Sequence, residues 1–139
     1  MRRYPLLEKP ERAALIAGLR QQLLARPEID FAYLFGSFIT DVAYHDIDIG
    51  VSLYPSDLSR AAAFDYAMDL STALTIALGK AVDVHVLNNA PLGVQHAILQ
   101  GALLFARDEG RLTDLIERVA GEVMDFAYHA EVYLREVLT

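Results

Sequence analysis

The chain has 139 residues, 54% of them hydrophobic and 22% charged, a length and composition that favour one folded domain over residues 1–139 and argue against a disordered chain. Lysine and arginine number 12 against 19 aspartate and glutamate residues, and the resulting net charge of −7 disfavours stable binding to nucleic acid. The sequence contains no cysteine, which excludes a disulfide framework and a thiolate metal site and favours a cytoplasmic location. Neither a signal peptide nor a transmembrane helix is predicted, so we expect no membrane partner.

The first half of the chain predicts one helix and two strands. Apolar residues repeat at helical spacing over residues 10–27. The aromatic run 31–35 predicts a buried strand that ends in a turn at 36–37, and residues 38–45 predict an irregular connection. Polar and apolar residues alternate over 46–53, and this is the clearest strand pattern in the chain.

The second half predicts three helices and two further strands. Helical spacing over residues 64–78 is followed by alternation over 81–87, and a short helix is predicted at 92–100. A brief strand over 103–106 precedes one long helix from residue 112 to the C-terminus. This order predicts a small α/β or α+β domain, a mixed sheet of about four strands with helices packed on it. The order and direction of the strands do not follow from the pattern.

Two aspartates lie two residues apart on the clearest strand. Residues two apart on a strand point to the same side, so Asp46 and Asp48 form one acidic patch, which Gly50 extends without a side chain. Neighbouring carboxylates repel each other unless a cation neutralises them, and hard oxygen ligands favour Mg²⁺ or Mn²⁺. The patch therefore predicts a metal site, and the missing side chain of Gly50 would let a ligand or another backbone segment approach closely. An ordinary solvated strand face is the alternative.

Two further features suit the same hypothesis. The Gly36-Ser37 turn offers backbone N–H groups and a hydroxyl to phosphate oxygens, although a plain turn is the alternative. Asp83 lies in the middle of an apolar strand, where a buried carboxylate is costly unless a partner pairs with it. The alternative is that Asp83 lies on an edge strand and faces water. His85 shares the face of Asp83, and metal binding, orientation of Asp83 and a purely structural hydrogen bond all stay open for it.

Together these residues resemble a known pattern. The Gly36-Ser37 turn, the D-x-D motif at 46–48 and Asp83 on a later strand are similar to the nucleotidyltransferase fold shared with DNA polymerase beta, specifically to its small bacterial and archaeal branch, the minimal nucleotidyltransferases (MNT). The segments that carry the resemblance are, in order, LFGSF, HDIDIGV, VDVHVL and GALLFARD, followed by the long last helix. The resemblance implies a single minimal nucleotidyltransferase domain with a polymerase-beta-like fold.

The resemblance also implies an activity and its residues. The resemblance implies Mg²⁺-dependent transfer of a nucleoside monophosphate, usually AMP from ATP, onto a hydroxyl. In many such proteins the acceptor is a tyrosine of a HEPN-type ribonuclease toxin, for which the MNT protein is the antitoxin. In the two-metal scheme, Asp46 and Asp48 bridge both ions, and Asp83 completes the ion that activates the acceptor. Ser37 and the Gly36 turn hold the β- and γ-phosphates of ATP, and pyrophosphate leaves.

Two features keep alternatives open. Residues 38–45 form a shorter connection than is usual in that family and lack its arginine, so a domain of the same fold that neutralises its partner by binding alone is the alternative function. Tyr128 and Tyr133 on the last helix predict a surface for a partner or for self-association into a homo-oligomer. Core packing along one helical stripe is the alternative there, and it fits Phe126.

Overall fold

The structure is a computed structural model that describes residues 4–5, 9–36, 43–44 and 46–138. Within these residues the chain forms six strands and four helices, in the order β1 (Tyr4–Pro5), α1 (Lys9–Leu24), β2 (Ile29–Phe35), β3 (Ala43–Tyr44), β4 (Ile47–Leu53), α2 (Arg60–Leu78), β5 (Val82–Val86), α3 (Leu92–Leu99), β6 (Ala102–Ala106) and α4 (Glu109–Leu138). The elements longer than two residues confirm the predicted helices and strands, with ends that differ by a few residues.

Four strands form one mixed sheet in the order β5-β4-β2-β6. β4 runs parallel to β5, whereas β2 is antiparallel to both β4 and β6. The predicted mixed sheet is confirmed. β1 pairs with β3 in a separate two-stranded sheet, with Tyr4 opposite Tyr44, so the prediction of an irregular connection over 38–45 is wrong at β3. A two-residue strand is too short to show alternation, and only its pairing with a distant segment reveals it.

One face of the sheet is covered by α1 and α2. The alternate residues of β4 and β5 that point to this face are aliphatic and at most 5% exposed: Ile47, Ile49, Val51, Val82 and Val84. The two helices meet them with buried leucines: Leu19, Leu23, Leu70 and Leu74. α2 begins at Ser59, whose Oγ accepts a hydrogen bond from the Ala62 N–H at 3.1 Å, and it ends at Gly79 with φ 68°. Local capping thus determines the length of the helix that backs β5.

The opposite face is covered only in part, by α3 and the first turns of α4. Its core consists of five buried side chains: Phe31, Tyr33, Leu87, Ile98 and Leu112. Gly50 also lies here, and a Cβ at this position would collide with the buried side chain of Ile98. The expectation that a ligand approaches Gly50 is therefore wrong, because Ile98 takes that space. What remains uncovered is the end of the sheet where β4 begins, at Asp48.

α4 continues well beyond the sheet. Its 30 residues span about 45 Å, whereas a seven-residue strand such as β4 spans about 23 Å. Leu112 and Val119 are buried in α4, but Phe126 is 72% exposed, so core packing of Phe126 is wrong. Tyr128 and Tyr133 are exposed as well, and their role as a partner or self-association surface stays a prediction. Across the described ranges, no helix is long and apolar enough to cross a membrane.

Candidate functional site

The parallel pairing of β4 with β5 places two of the predicted acids side by side. Asp48 lies opposite Asp83 in the register, and their aliphatic neighbours point into the core on the other face. Ligand atoms of Asp48, Asp83 and His85 all lie within 4.8 Å of one another. We call these three side chains the Asp-His cluster. It occupies the uncovered end of the sheet.

His85 contacts both carboxylates through one ring nitrogen. Its Nε2 lies 3.1 Å from Asp83 Oδ2 and 3.6 Å from Asp48 Oδ1. The Phe35 ring packs against the imidazole, with the centroids 5.4 Å apart and the planes inclined at 68°. The contact with Asp48 is the largest of the causes that raise the pKa of His85; burial opposes it, and the charge of Asp83 adds to it. The field of the two carboxylates therefore favours a positive charge at this place.

Gly36 ends β2 and brings its turn against the Asp-His cluster. Phe35 pairs with Asp48 across β2 and β4, and Gly36 then adopts a φ of 81°, which favours glycine. A Cβ on Gly36 would lie 2.6 Å from Asp48 Oδ2, so only glycine lets the carboxylate lie this close to the turn. The predicted neighbourhood of turn and acid is thus present for Gly36. Ser37 lies outside the described residues, and its phosphate-binding role stays a prediction.

Asp46 stands just before the first paired residue of β4. The ladder to β5 begins at Ile47, whose N–H donates to the carbonyl oxygen of Ala81 at 3.0 Å, and Asp46 itself is half-buried. Over the part of the chain that the structure describes, the group of converging ligand atoms contains His85 and not Asp46. A role for Asp46 as a metal ligand stays a prediction.

The donor set of the Asp-His cluster fits a divalent cation. Carboxylates suit Mg²⁺ and Mn²⁺, and an imidazole suits transition-metal ions. The side chains of Asp48, His85 and Asp83 are 26%, 38% and 53% exposed, and a cavity of about 390 Å³ opens beside Asp83 and His85 between α2 and α3. A cation held here would be accessible to a second ligand such as a phosphate group.

Two further side chains meet at this site. Period-two alternation predicts that His85 shares the face of Asp83 and leaves metal binding open for it, but alternation does not say which way the ring turns. Phe35 carries no such signal. It reaches His85 because the strand order puts β2 and β5 on either side of β4.

Comparison with known proteins connects this geometry to a family. A family model described as polymerase beta, nucleotidyltransferase matches residues 19–110, which is about two thirds of the chain. No curated protein matches the sequence significantly. The family match includes Gly36, Asp48, Asp83 and His85.

Several solved structures have a similar fold. A chain from the complex of tri-AMPylated Shewanella oneidensis HEPN toxin with MNT antitoxin gives a TM-score of 0.67 at 18% identity, covering 92% of this chain and 99% of that chain. The toxin-antitoxin structure MntA-HepT gives 0.61 at 19% identity, covering 95% and 100%. A toxin-antitoxin structure with AMP-PNP gives 0.59 at 18% identity, also covering 95% and 100%. By the family match, and with a fold that agrees, the chain belongs to the polymerase beta nucleotidyltransferase family.

Proposed function

We propose that this protein is a metal-dependent nucleotidyltransferase that moves AMP from ATP to a hydroxyl group of a HEPN-type toxin and thereby acts as its antitoxin. The observation that carries the proposal is the convergence of Asp48 and Asp83, from two parallel strands, beside the Gly36 turn. Membership of the polymerase beta nucleotidyltransferase family supports the reaction class. The solved neighbours, described as an AMPylated HEPN toxin with MNT antitoxin and as a toxin-antitoxin with AMP-PNP, support the partner and the nucleotide.

In this proposal the metal ligands are Asp48 and Asp83, with Asp46 as a further carboxylate next to them. Mg²⁺ or Mn²⁺ is the expected ion, and when bound it supplies positive charge to the phosphate oxygens and lowers the pKa of the acceptor hydroxyl. Gly36 has no side chain, so the Asp48 carboxylate lies directly beside the turn that is proposed to hold the phosphates of ATP. Ser37 is the proposed hydroxyl donor to the β- and γ-phosphates.

The proposed reaction is an in-line displacement at the α-phosphorus of ATP. The acceptor oxygen, most simply that of a tyrosine, forms a bond to the α-phosphorus, and the bond from that phosphorus to the oxygen of the β-phosphate breaks. Pyrophosphate leaves, and the hydroxyl proton passes to solvent. Asp83 is the most exposed member of the Asp-His cluster, which leaves its carboxylate accessible to an acceptor. We place this reaction in the cytoplasm, where ATP is available.

The test uses the full chain and the HEPN-domain protein encoded beside it. The two proteins are incubated with ATP and MgCl₂, and the intact mass of the HEPN protein is measured. We expect it to gain one or more AMP units, and we expect Asp48→Asn or Asp83→Asn to abolish the gain. Asp57→Asn is the matched control, since it removes an exposed carboxylate of the loop after β4, and it should leave transfer unchanged.

The same experiment separates transfer from neutralisation by contact. The proposed transfer is contradicted if three results occur together. The two proteins form a stable complex, the HEPN protein gains no mass, and Asp48→Asn neutralises it as well as the unmodified chain does. The chain is then a binding module of the same fold.

A further inference from the structure

The Asp-His cluster contains a donor that an all-carboxylate site lacks. We propose that His85 is a metal ligand through Nε2 and that it makes the site prefer transition-metal cations, with Mn²⁺ as the test ion, over Mg²⁺. The inference rests on the proposed function for the presence of a metal. It goes further in naming a nitrogen ligand and the class of ion that this chain selects.

The backbone brings the imidazole to the metal position. His85 lies two residues after Asp83 on β5, so both side chains leave the strand on the same face. The residue opposite His85 on β4 is Gly50, and β4 therefore puts no side chain between the imidazole and Asp48. As a result Nε2 comes within 3.1 Å of one carboxylate and 3.6 Å of the other.

Neighbouring side chains hold the ring in an orientation suited to ligation. The Phe35 ring meets the imidazole at 68°, with 5.4 Å between centroids, and Nε2 is the nitrogen that points at the carboxylates. The ligand atoms of Asp48, Asp83 and His85 lie within 4.8 Å of one another, so a small adjustment of the side chains would let one ion contact all three.

Donor chemistry then determines the choice of ion. Mg²⁺ binds oxygen ligands and keeps several of its waters, so a nitrogen donor adds little to its affinity. Imidazole is a good ligand for transition-metal ions, and the affinity of mixed nitrogen and oxygen sites rises along the series that begins with Mn²⁺. A site with two carboxylates and one imidazole should therefore bind Mn²⁺ more tightly than Mg²⁺, by a margin that disappears when the imidazole is removed.

The test needs neither ATP nor a partner protein. The full chain is stripped of metal with EDTA, dialysed and titrated with Mn²⁺ alone, and the free ion is followed by electron paramagnetic resonance. Mg²⁺ affinity comes from displacement of bound Mn²⁺. We expect His85→Ala to weaken Mn²⁺ binding about tenfold or more, because loss of an outer partner of a ligand already costs that much, and to change Mg²⁺ binding by less than about threefold.

A spectroscopic signature identifies the ligand directly. Electron spin-echo modulation from a directly bound imidazole nitrogen should appear for Mn²⁺ in the unmodified chain and disappear in His85→Ala. His96→Ala and His129→Ala are the matched controls and should keep it. Bound Mn²⁺ without nitrogen modulation, or modulation that survives His85→Ala, overturns the role of His85 and leaves AMP transfer intact. No Mn²⁺ binding at all overturns both the ligand and the metal site of the proposed function.

His85→Glu controls for a variant that merely disturbs the fold. This change brings a carboxylate oxygen to about the reach of Nε2, and we expect it to bind Mg²⁺ at least as well as the unmodified chain does while it loses the preference for Mn²⁺. A preference for Mn²⁺ that persists in His85→Glu contradicts the proposal.

Discussion

The two faces of the sheet at β4 and β5 differ: one is packed in the core, and the other carries partly exposed acidic side chains. On the side of α1 and α2, the residues Ile47, Ile49 and Val84 are at most 4% exposed and packed among leucines. On the other side, Asp48 and Asp83 are a quarter to a half exposed and face each other across the parallel pairing. Each aliphatic residue is thus a direct sequence neighbour of a polar residue that points the opposite way.

The difference shows how stability and chemistry are separated in this sheet. Full burial of an aliphatic side chain stabilises a fold by about 1.5–3 kcal/mol, whereas two neighbouring carboxylates repel each other until a cation is present. The strands are therefore held by one face and leave the other available for a ligand. A substitution on the first face should lower the free energy of unfolding, and one at the uncovered end of the second face should change binding.

The largest effect is expected from the covered face. Ile49→Ala removes a fully buried side chain between the sheet and α2, and it should lower the free energy of unfolding by about 2–5 kcal/mol. Urea denaturation followed by circular dichroism measures the loss. Ile76→Ala is the matched control, because Ile76 is 78% exposed, and it should change stability by less than about 0.5 kcal/mol. Equal losses in the two variants would contradict the assignment of the core face.

A second prediction concerns Gly50, where α3 covers the face of β4 that carries Asp48. Gly50→Ala puts a methyl group into the space of Ile98 and should cost about 1–3 kcal/mol in unfolding free energy. Ile98→Ala in the same chain should recover part of that loss, so that the double variant is more stable than the sum of the two single effects predicts. Gly121→Ala, at a helical glycine with open space around it, should instead stabilise the protein by up to about 1 kcal/mol.

Asp48→Asn tests the uncovered face next to Ile49. In EDTA we expect a change of less than about 1 kcal/mol, since the side chain is partly exposed and its removal relieves repulsion with Asp83. Divalent cation should raise the melting temperature of the unmodified chain and leave that of Asp48→Asn unchanged, because a ligand stabilises only the state that binds it. Differential scanning fluorimetry with and without MnCl₂ measures both. A large loss of stability in EDTA would mean that Asp48 is a structural residue.

The smallest effect is a pH dependence of stability from His85. Its contact with Asp48 raises the pKa of the imidazole in the folded protein, so the stabilisation is fully present below the ordinary value near 6.5 and is lost as the pH rises through the raised pKa. In EDTA, the stability difference between the unmodified chain and His85→Gln should therefore be larger at about pH 5.5 than at about pH 9. Urea denaturation at both pH values measures it. In an Asp48→Asn background the difference should shrink, and a trend of the opposite sign would contradict the ion pair.

Local sequence patterns predict much of this fold. The alternation over 46–53 predicts both strand β4 and the side of each of its residues, and Gly79 predicts the end of α2, since each depends on neighbours a few residues away. The acids Asp48 and Asp83 and the turn at Gly36 are likewise visible as a motif. The pattern does not reveal that Ile98 fills the space beside Gly50, because that contact joins distant segments.

The amino-acid order alone determines the helices and the longer strands, and which residue types each of these strands presents to either side, because helical periodicity and side-chain alternation are short-range properties. Tertiary structure decides which residues meet. It sets the parallel register that places Asp83 beside Asp48, the contact of the His85 ring with both carboxylates, and how far α4 extends beyond the sheet. These contacts depend on how all the layers pack at once, and a one-residue shift in the register of β5 would turn Asp83 towards the core.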